Sequence, residues 1–354
     1  MTNRPAPQWQ DRIPEADRAQ AAQDADAVNS FQRAFARRGA KGGDGTPHRA
    51  FHVKSHAGLR AELRILDNLP DVARHGIFAT PRRYPALLRL SNGFSASKPD
   101  WFPDLVGLAV KVEDVAGDKL LPGETHAATQ DFLALNLRTL PIENPGQLLV
   151  ISLATANFLT APFKLLRGLG IAKALEVFVW ALGWSLRRLF LKSVATERFA
   201  GLAPISVGPA AAKFHWLPRQ SGPVGPRNSG RNYLRDDLRC RLAAGDVGFD
   251  LYLQFFVDDA RTPLDGGYAW DEAVAPLVKV AELIVARCDL DDTTASEAEV
   301  NRLAFNPWHA TAAHRPVGNI QRVRGLIYQK SAALRSATPD KRRSEQPAPD
   351  EFSA

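Results

Sequence analysis

The sequence predicts an α+β fold, an antiparallel β-barrel with helices around it. Short runs in which apolar and polar residues alternate, the period of a half-buried strand, recur at "AFHVKS", "ALLRLSN", "LVGLAVKV" and "DFLALNL", and again at "AAKFHWLPRQSG" and "FDLYLQFFVDD". Turn clusters such as "SNGFSASKPD" and "VAGDKLLPGE" separate them, so the connections are short, as in antiparallel sheets. Between the two sets of strands, residues 143–201 change to a helical period.

Taken in order, residues 1–47 are polar and form an N-terminal arm. Ala16 to Arg38 suits a surface helix, broken by "GAKGGDGTP". The N-terminus lacks the apolar stretch of a secretory signal. Residues 48–335 form the main domain, beginning with the strands up to residue 142. In "AFHVKS" the alternation points Phe51 and Val53 one way, and His52 and Lys54 the other. In "ALLRLSN" it places Arg89 and Ser91 on one face, with Leu88 and Leu90 on the opposite face.

The helical insertion, 143–201, is very apolar, but Asn157 and Pro162 interrupt its first run, and Lys173, Glu176, Arg187 and Arg188 its second. A membrane-spanning helix needs about 20 predominantly apolar residues. The favoured reading is two helices packed on a barrel; the sharper one is a peripheral membrane contact through residues 148–191. A connector, "RQSGPVGPRNSGRN", precedes the last strands. A helix from Ile320 to Ala337 closes the domain, and the polar tail, 336–354, is expected to be disordered.

Composition bounds the function. The chain has 354 residues, 45% of them apolar, enough for a sizeable core. A net charge of +7 permits anionic partners and selects none, and no nucleic-acid partner is expected. Two cysteines, Cys240 and Cys288, exclude a disulfide framework and suit a reducing, cytoplasmic compartment.

The closing helix carries "RGLIYQKSAALR", with Arg324, Tyr328 and Arg335 at i, i+4 and i+11, close to one helical face. An arginine one turn from a phenol favours the phenolate, which can serve as an axial ligand to ferric haem. An ordinary amphipathic helix carries the same spacing. Arginines 49, 89 and 335 could together receive the two carboxylates of a large ligand. His56 and His126 read as loop residues. His309 and His314 read as hydrogen-bonding groups around a turn, since His-x4-His without a carboxylate or cysteine cluster is a poor zinc site.

Six segments, in order, carry a resemblance. "RAFHVKSHAG" resembles a strand with arginine, two residues, then His-x-Lys-Gly. "YPALLRLSNG" resembles a Val-Arg-Phe-Ser segment, and "LVGLAVKV" an Arg-Gly-Phe-Ala-x-Lys-Phe segment. "QDFLALN" resembles Trp-Asp-Leu-Val-Gly-Asn-Asn, with the second asparagine at Asn136. "AKFHW" resembles Val-Lys-Phe-His-x, and "RGLIYQKSAALR" resembles Arg-x-x-x-Tyr with a further arginine seven residues on. Over residues 48–335 the chain resembles the haem catalase superfamily, in its smaller branch of catalase-like peroxidases and allene oxide synthase-like proteins.

The resemblance implies the catalase type of barrel and a haem b cofactor. Tyr328 would be the axial iron ligand, paired with Arg324. His52 and Asn136 would lie above the haem, with Ser91 orienting His52. Arg49, Arg89 and Arg335 would hold the propionates, and His215 would stand on the proximal side. Its activity would be reduction of organic or lipid hydroperoxides, and more slowly of hydrogen peroxide, with a small reductant. The alternatives are a fatty-acid hydroperoxide dehydratase or isomerase of the allene oxide synthase type, and a haem-less membrane-associated lipid-binding protein. Three positions depart from the catalase pattern: Val106 where arginine precedes the glycine, Phe51 before the histidine, and Leu135 in place of the first asparagine. These departures predict slower hydrogen peroxide disproportionation than in a true catalase.

Overall fold

The structure, a computed structural model, describes residues 49, 51–121, 127–155, 159–188, 191–222 and 230–336. The expected N-terminal arm with its helix, His126 and the tail beyond residue 336 lie outside the described residues.

Nine strands form the sheet: β1 (Ser55–Ile65), β2 (Arg83–Asn92), β3 (Val106–Val112), β4 (Gln130–Leu135), β5 (Phe199–Gly201), β6 (Ile205–Val207), β7 (Ala210–Pro218), β8 (Val247–Phe255) and β9 (Leu277–Val285). Among the described residues five α-helices accompany them: α1 (Pro145–Thr155), α2 (Ala161–Arg188), α3 (Tyr233–Ala244), α4 (Thr294–Arg302) and α5 (Asn319–Ser336). The strand order is β5-β4-β3-β2-β1-β9-β8-β7-β6, and β5 also pairs with β7. That pairing closes eight strands into an antiparallel barrel, and β6 extends from β7. Closure satisfies backbone donors and acceptors that an open sheet would leave at its edges.

Inward-facing residues fill the barrel with a dense aromatic cluster. Phe132 sits edge-on to Phe214, with ring centroids 5.3 Å apart, and to Trp216 at 6.0 Å. Leu88, Leu90, Leu108 and Val110 join this core from β2 and β3. The alternation read in "ALLRLSN" therefore holds: Leu88 and Leu90 point in, while Arg89 and Ser91 point out to a cavity on the barrel wall.

Three sequence expectations need correction here. "AFHVKS" is not a regular strand: β1 begins at Ser55, and His52 has a φ of 59°. Such a backbone is uncommon for a residue with a Cβ. It breaks the alternation, and both Phe51 and His52 line the cavity. His56 is not a loop residue; it lies in β1, fully buried, with Nε2 2.8 Å from Asn92 Oδ1. The helical insertion does not run to residue 201. Its described helices end at Arg188, and Phe199–Gly201 is β5, the strand that closes the barrel.

Two other buried histidines make stability depend on pH. His314 Nε2 accepts a hydrogen bond from the Ile77 amide at 3.0 Å, and burial lowers its pKa to about 4. Burial, and then the Arg198 charge, lower that of His215 to about 4. Both stay neutral in the fold, whereas the unfolded chain takes up protons near the ordinary value of about 6.5. Stability should therefore be intact above about pH 6.5 and fall as pH drops toward 4, each histidine costing on the order of 3 kcal/mol. Thermal melts from about pH 7 down to about pH 4 check this; a flat Tm would contradict the assignment.

Candidate active site

One cavity, of about 220 Å³, lies between the outer wall of the barrel and two helices. The wall is two rows of outward-facing residues. Ser91 on β2 pairs with Gly107 on β3, and Gly107 with Leu135 on β4. One step along, Arg89 pairs with Ala109 and Ala109 with Leu133. All six line the cavity. Its roof is the insertion, through Pro145, Leu148, Leu149 and Ser152 around α1. Its other side is α5, through Val323, Arg324, Ile327, Tyr328 and Ser331.

His52 is fixed from two sides. Its Nδ1 is 3.1 Å from Ser91 Oγ, and its ring lies against Gly107. A Cβ at Gly107 would stand 2.5 Å from His52 Cε1, so only glycine lets the imidazole rest there. The Asn92 backbone also hydrogen-bonds the ring, and the imidazole lines the cavity. Burial, then the charges of Arg89, Arg49 and Arg324, lower the His52 pKa to about 3. The imidazole is therefore neutral at neutral pH and able to accept a proton. Gly107→Ala is expected to displace the ring and break the Ser91 contact, with the β2–β3 pairing kept. Loss of the wild-type imidazole signals by NMR, with an unchanged fold by circular dichroism, is the check.

The arginines belong to one cluster built around Asn301, at the end of α4. Arg89 Nε donates to Asn301 Oδ1 at 3.0 Å, and Arg89 Nη2 donates to the His52 carbonyl at 2.8 Å. Arg49 Nη2 donates to the carbonyls of Asn301 (3.0 Å) and Leu303 (2.7 Å). Asn301 was not legible in the sequence, since nothing in "NRLAFNPW" marks a clasp for residues 212 and 252 positions away. Phe305 joins the lining, held by a buried network behind it. There Asp131 accepts from Lys111 Nζ at 2.6 Å and from the Asn306 amide at 2.9 Å, with His309 Nδ1 2.7 Å away.

On α5, Arg324 and Tyr328 face the cavity together, as their spacing predicts. The guanidinium carbon is 5.7 Å from the Tyr328 ring centroid, and Arg324 Nη1 donates to Gln321 Oε1 at 2.9 Å. Arg335 stands in the last turn of the same helix, and its side chain lies outside the described residues.

Two expected site residues are not at the cavity. Asn136 follows β4 and faces away from it; Oδ1 accepts the Val106 amide at 2.8 Å and Nδ2 donates to Glu197 at 3.0 Å. The alternation along β4 gives the cavity to Leu133 and Leu135 instead. His215 is on β7, outside the β2–β4 wall, with Nε2 3.1 Å from Gln254 Oε1 of β8. The β7 strand reaches β4 only across β5, which moves its outward face away from the site.

The site thus joins an imidazole on the barrel wall, a phenol on α5, three arginines and an apolar lining; among the described residues no aspartate or glutamate lines it. That donor set fits a flat dianionic ligand with apolar faces whose metal takes an oxygen donor from one side. The positive cluster complements two carboxylates, Leu133 and Leu135 offer apolar surface, and Tyr328 offers the oxygen.

No protein-family model and no curated protein sequence matches the chain. Solved structures do. A fungal catalase superposes with a TM-score of 0.66 at 16% identity, over 83% of this chain and 60% of that one. A bacterial catalase gives 0.60 at 17%, over 83% and 58%, and catalase A from Saccharomyces cerevisiae gives 0.62 at 15%, over 82% and 62%. The chain thus spans about three fifths of the length of these catalases, and what it shares with them is the catalase fold.

Proposed function

We propose that the protein is a haem enzyme that reduces hydroperoxides, of the small catalase-like peroxidase type, and that it handles organic or lipid hydroperoxides better, relative to hydrogen peroxide, than a true catalase does. The observation that carries this reading is a single cavity with a neutral, anchored imidazole on one wall and an arginine-flanked phenol on the facing helix. In this reading Tyr328 would ligate the iron of haem b with Arg324 beside it, and Arg49 and Arg89 would meet the propionates. Haem supplies the redox chemistry that breaks the O–O bond.

The chain's own residues then handle protons and fit. His52 Nε2 takes the hydroperoxide proton and returns it to the outer oxygen, so that the leaving group departs as water or an alcohol. Ser91 holds Nδ1, so the imidazole keeps one orientation through both transfers. Leu135 brings apolar surface where an amide would aid departure of a hydroxyl, which favours a bulky alkyl hydroperoxide over hydrogen peroxide. A small reductant returns the electrons. The same apolar wall also suits the second reading, rearrangement of a fatty-acid hydroperoxide to an allene oxide without an external reductant.

The test is an absorption spectrum of the purified full-length protein, followed by steady-state consumption of hydrogen peroxide, cumene hydroperoxide and a fatty-acid hydroperoxide at matched concentrations. A Soret band with high-spin ferric features and reductant-dependent turnover of cumene hydroperoxide are expected. Rapid oxygen release from hydrogen peroxide with neither organic peroxide turned over would restore a plain catalase. Fatty-acid hydroperoxide loss without reductant would select the rearrangement. A protein that cannot take up haem would overturn the reading.

A further inference from the structure

Helix α2 is apolar on two faces, and the barrel needs only one. Ala174 and Val177 are buried, with Trp180 and Trp184 packed against the same cluster, which also takes Ile151 of α1. On the opposite side Ile171, Leu175, Phe178, Val179, Leu182 and Leu186 are exposed, Ile171 at 79% and Leu182 at 63%. At 3.6 residues per turn these six fall within an arc of about 100°. Of the twelve exposed large apolar side chains described, nine lie between Leu159 and Leu186, so the exposed apolar surface is concentrated on this segment. Phe163 and Leu166, before the kink at Gly170 where φ is 76°, are exposed as well.

The charges around the patch say what covers it. The only acidic residue in α2 is Glu176, and it is paired with Lys173 at 2.9 Å. Arg167 stands toward one end of the stripe, and Arg187 and Lys192 at the other, all exposed and with no carboxylate within ion-pair distance among the described residues. A second copy docked through the stripe about a two-fold axis would set these cations against one another. Antiparallel helices bring Arg167 toward Arg187, and parallel helices bring each arginine toward its own counterpart. An anionic lipid surface meets both features at once, with acyl chains for the leucines and phosphates for the flanking cations, whose long stems let the charge reach the headgroups. None of the described helices is long and apolar enough to cross a membrane, so the contact lies along the helix and not through it.

We propose that the exposed face of α2 docks the protein in the plane of an anionic lipid bilayer. It does so whether or not the cavity holds haem. Because α1 packs between α2 and the cavity, a protein docked this way has α2 alone between the roof of its site and the acyl chains.

Flotation of the full-length protein with phosphatidylcholine vesicles, with and without phosphatidylglycerol, tests this. The wild type should float with the anionic vesicles and weakly or not at all with the neutral ones. L175E/L182E should abolish flotation, and R167Q/R187Q should weaken it by about fivefold for each arginine. All four positions are exposed, so an unchanged melting temperature should accompany both variants. Wild-type protein left at the bottom of the gradient with both lipids would overturn the proposal, as would flotation unaffected by L175E/L182E. A concentration-dependent dimer in sedimentation, dispersed by L175E/L182E and without vesicle binding, would assign the face to a second copy instead. Flotation needs no turnover, so failure of the peroxidase reading leaves this result standing.

Discussion

Tyr328→Phe is expected to strip the protein of most of its haem, or to change the Soret spectrum of what remains. Tyr328 is the cavity's phenol, and the substitution removes one oxygen without changing the ring that packs on α5. Arg324 stays in place, 5.7 Å from the ring centroid and tied to Gln321, so the electrostatic surroundings are kept and only the donor is lost. Haem content per chain, read by pyridine haemochrome, and the position of the Soret band measure the outcome. An unchanged melting temperature shows that the fold is kept. Full occupancy with an unaltered spectrum would remove Tyr328 as the ligand.

His52→Ala should do the reverse, keeping haem and losing turnover. The histidine stands on the barrel wall, anchored by Ser91 and Gly107, and Tyr328 reaches the cavity from α5. The loss expected is on the order of 10²–10⁴ in rate, the contribution of a positioned acid–base group. His52→Gln fills the same space without a titratable nitrogen and should lose a similar factor, which separates proton transfer from packing. With burial and three arginines lowering the His52 pKa to about 3, the acid limb of the wild-type rate profile should fall well below the ordinary histidine value of about 6.5. Wild-type turnover in both variants would place the proton shuttle elsewhere.

Some of this was legible from local patterns. Period-2 alternation in "ALLRLSN" put Arg89 and Ser91 on one face because a strand sends successive side chains to opposite sides. The i, i+4 spacing put Arg324 and Tyr328 on one face of α5 for the corresponding helical reason. The strand β1 was within reach as well: Leu59, Ala61, Leu63 and Ile65 alternate with Arg60, Glu62 and Arg64, but Gly58 and the histidines before them obscured its start.

The sequence by itself therefore determined an α+β chain with strands of known inward faces, a histidine near one end of the domain and an Arg–Tyr pair near the other. Each follows from periodicity within a few residues, which backbone geometry sets locally. Only the tertiary structure decided which outward faces meet. It turned His52 through a positive φ so that Phe51 and His52 share the cavity, and it gave the β4 position to Leu135 and sent Asn136 to Val106 and Glu197. It set His215 beyond β5 and bound Arg49 and Arg89 through Asn301. The two-faced apolar helix α2 shows the reason most plainly. Its sequence states that both faces are apolar, but which one the barrel covers depends on where α1 and the barrel lie, and no local pattern encodes that.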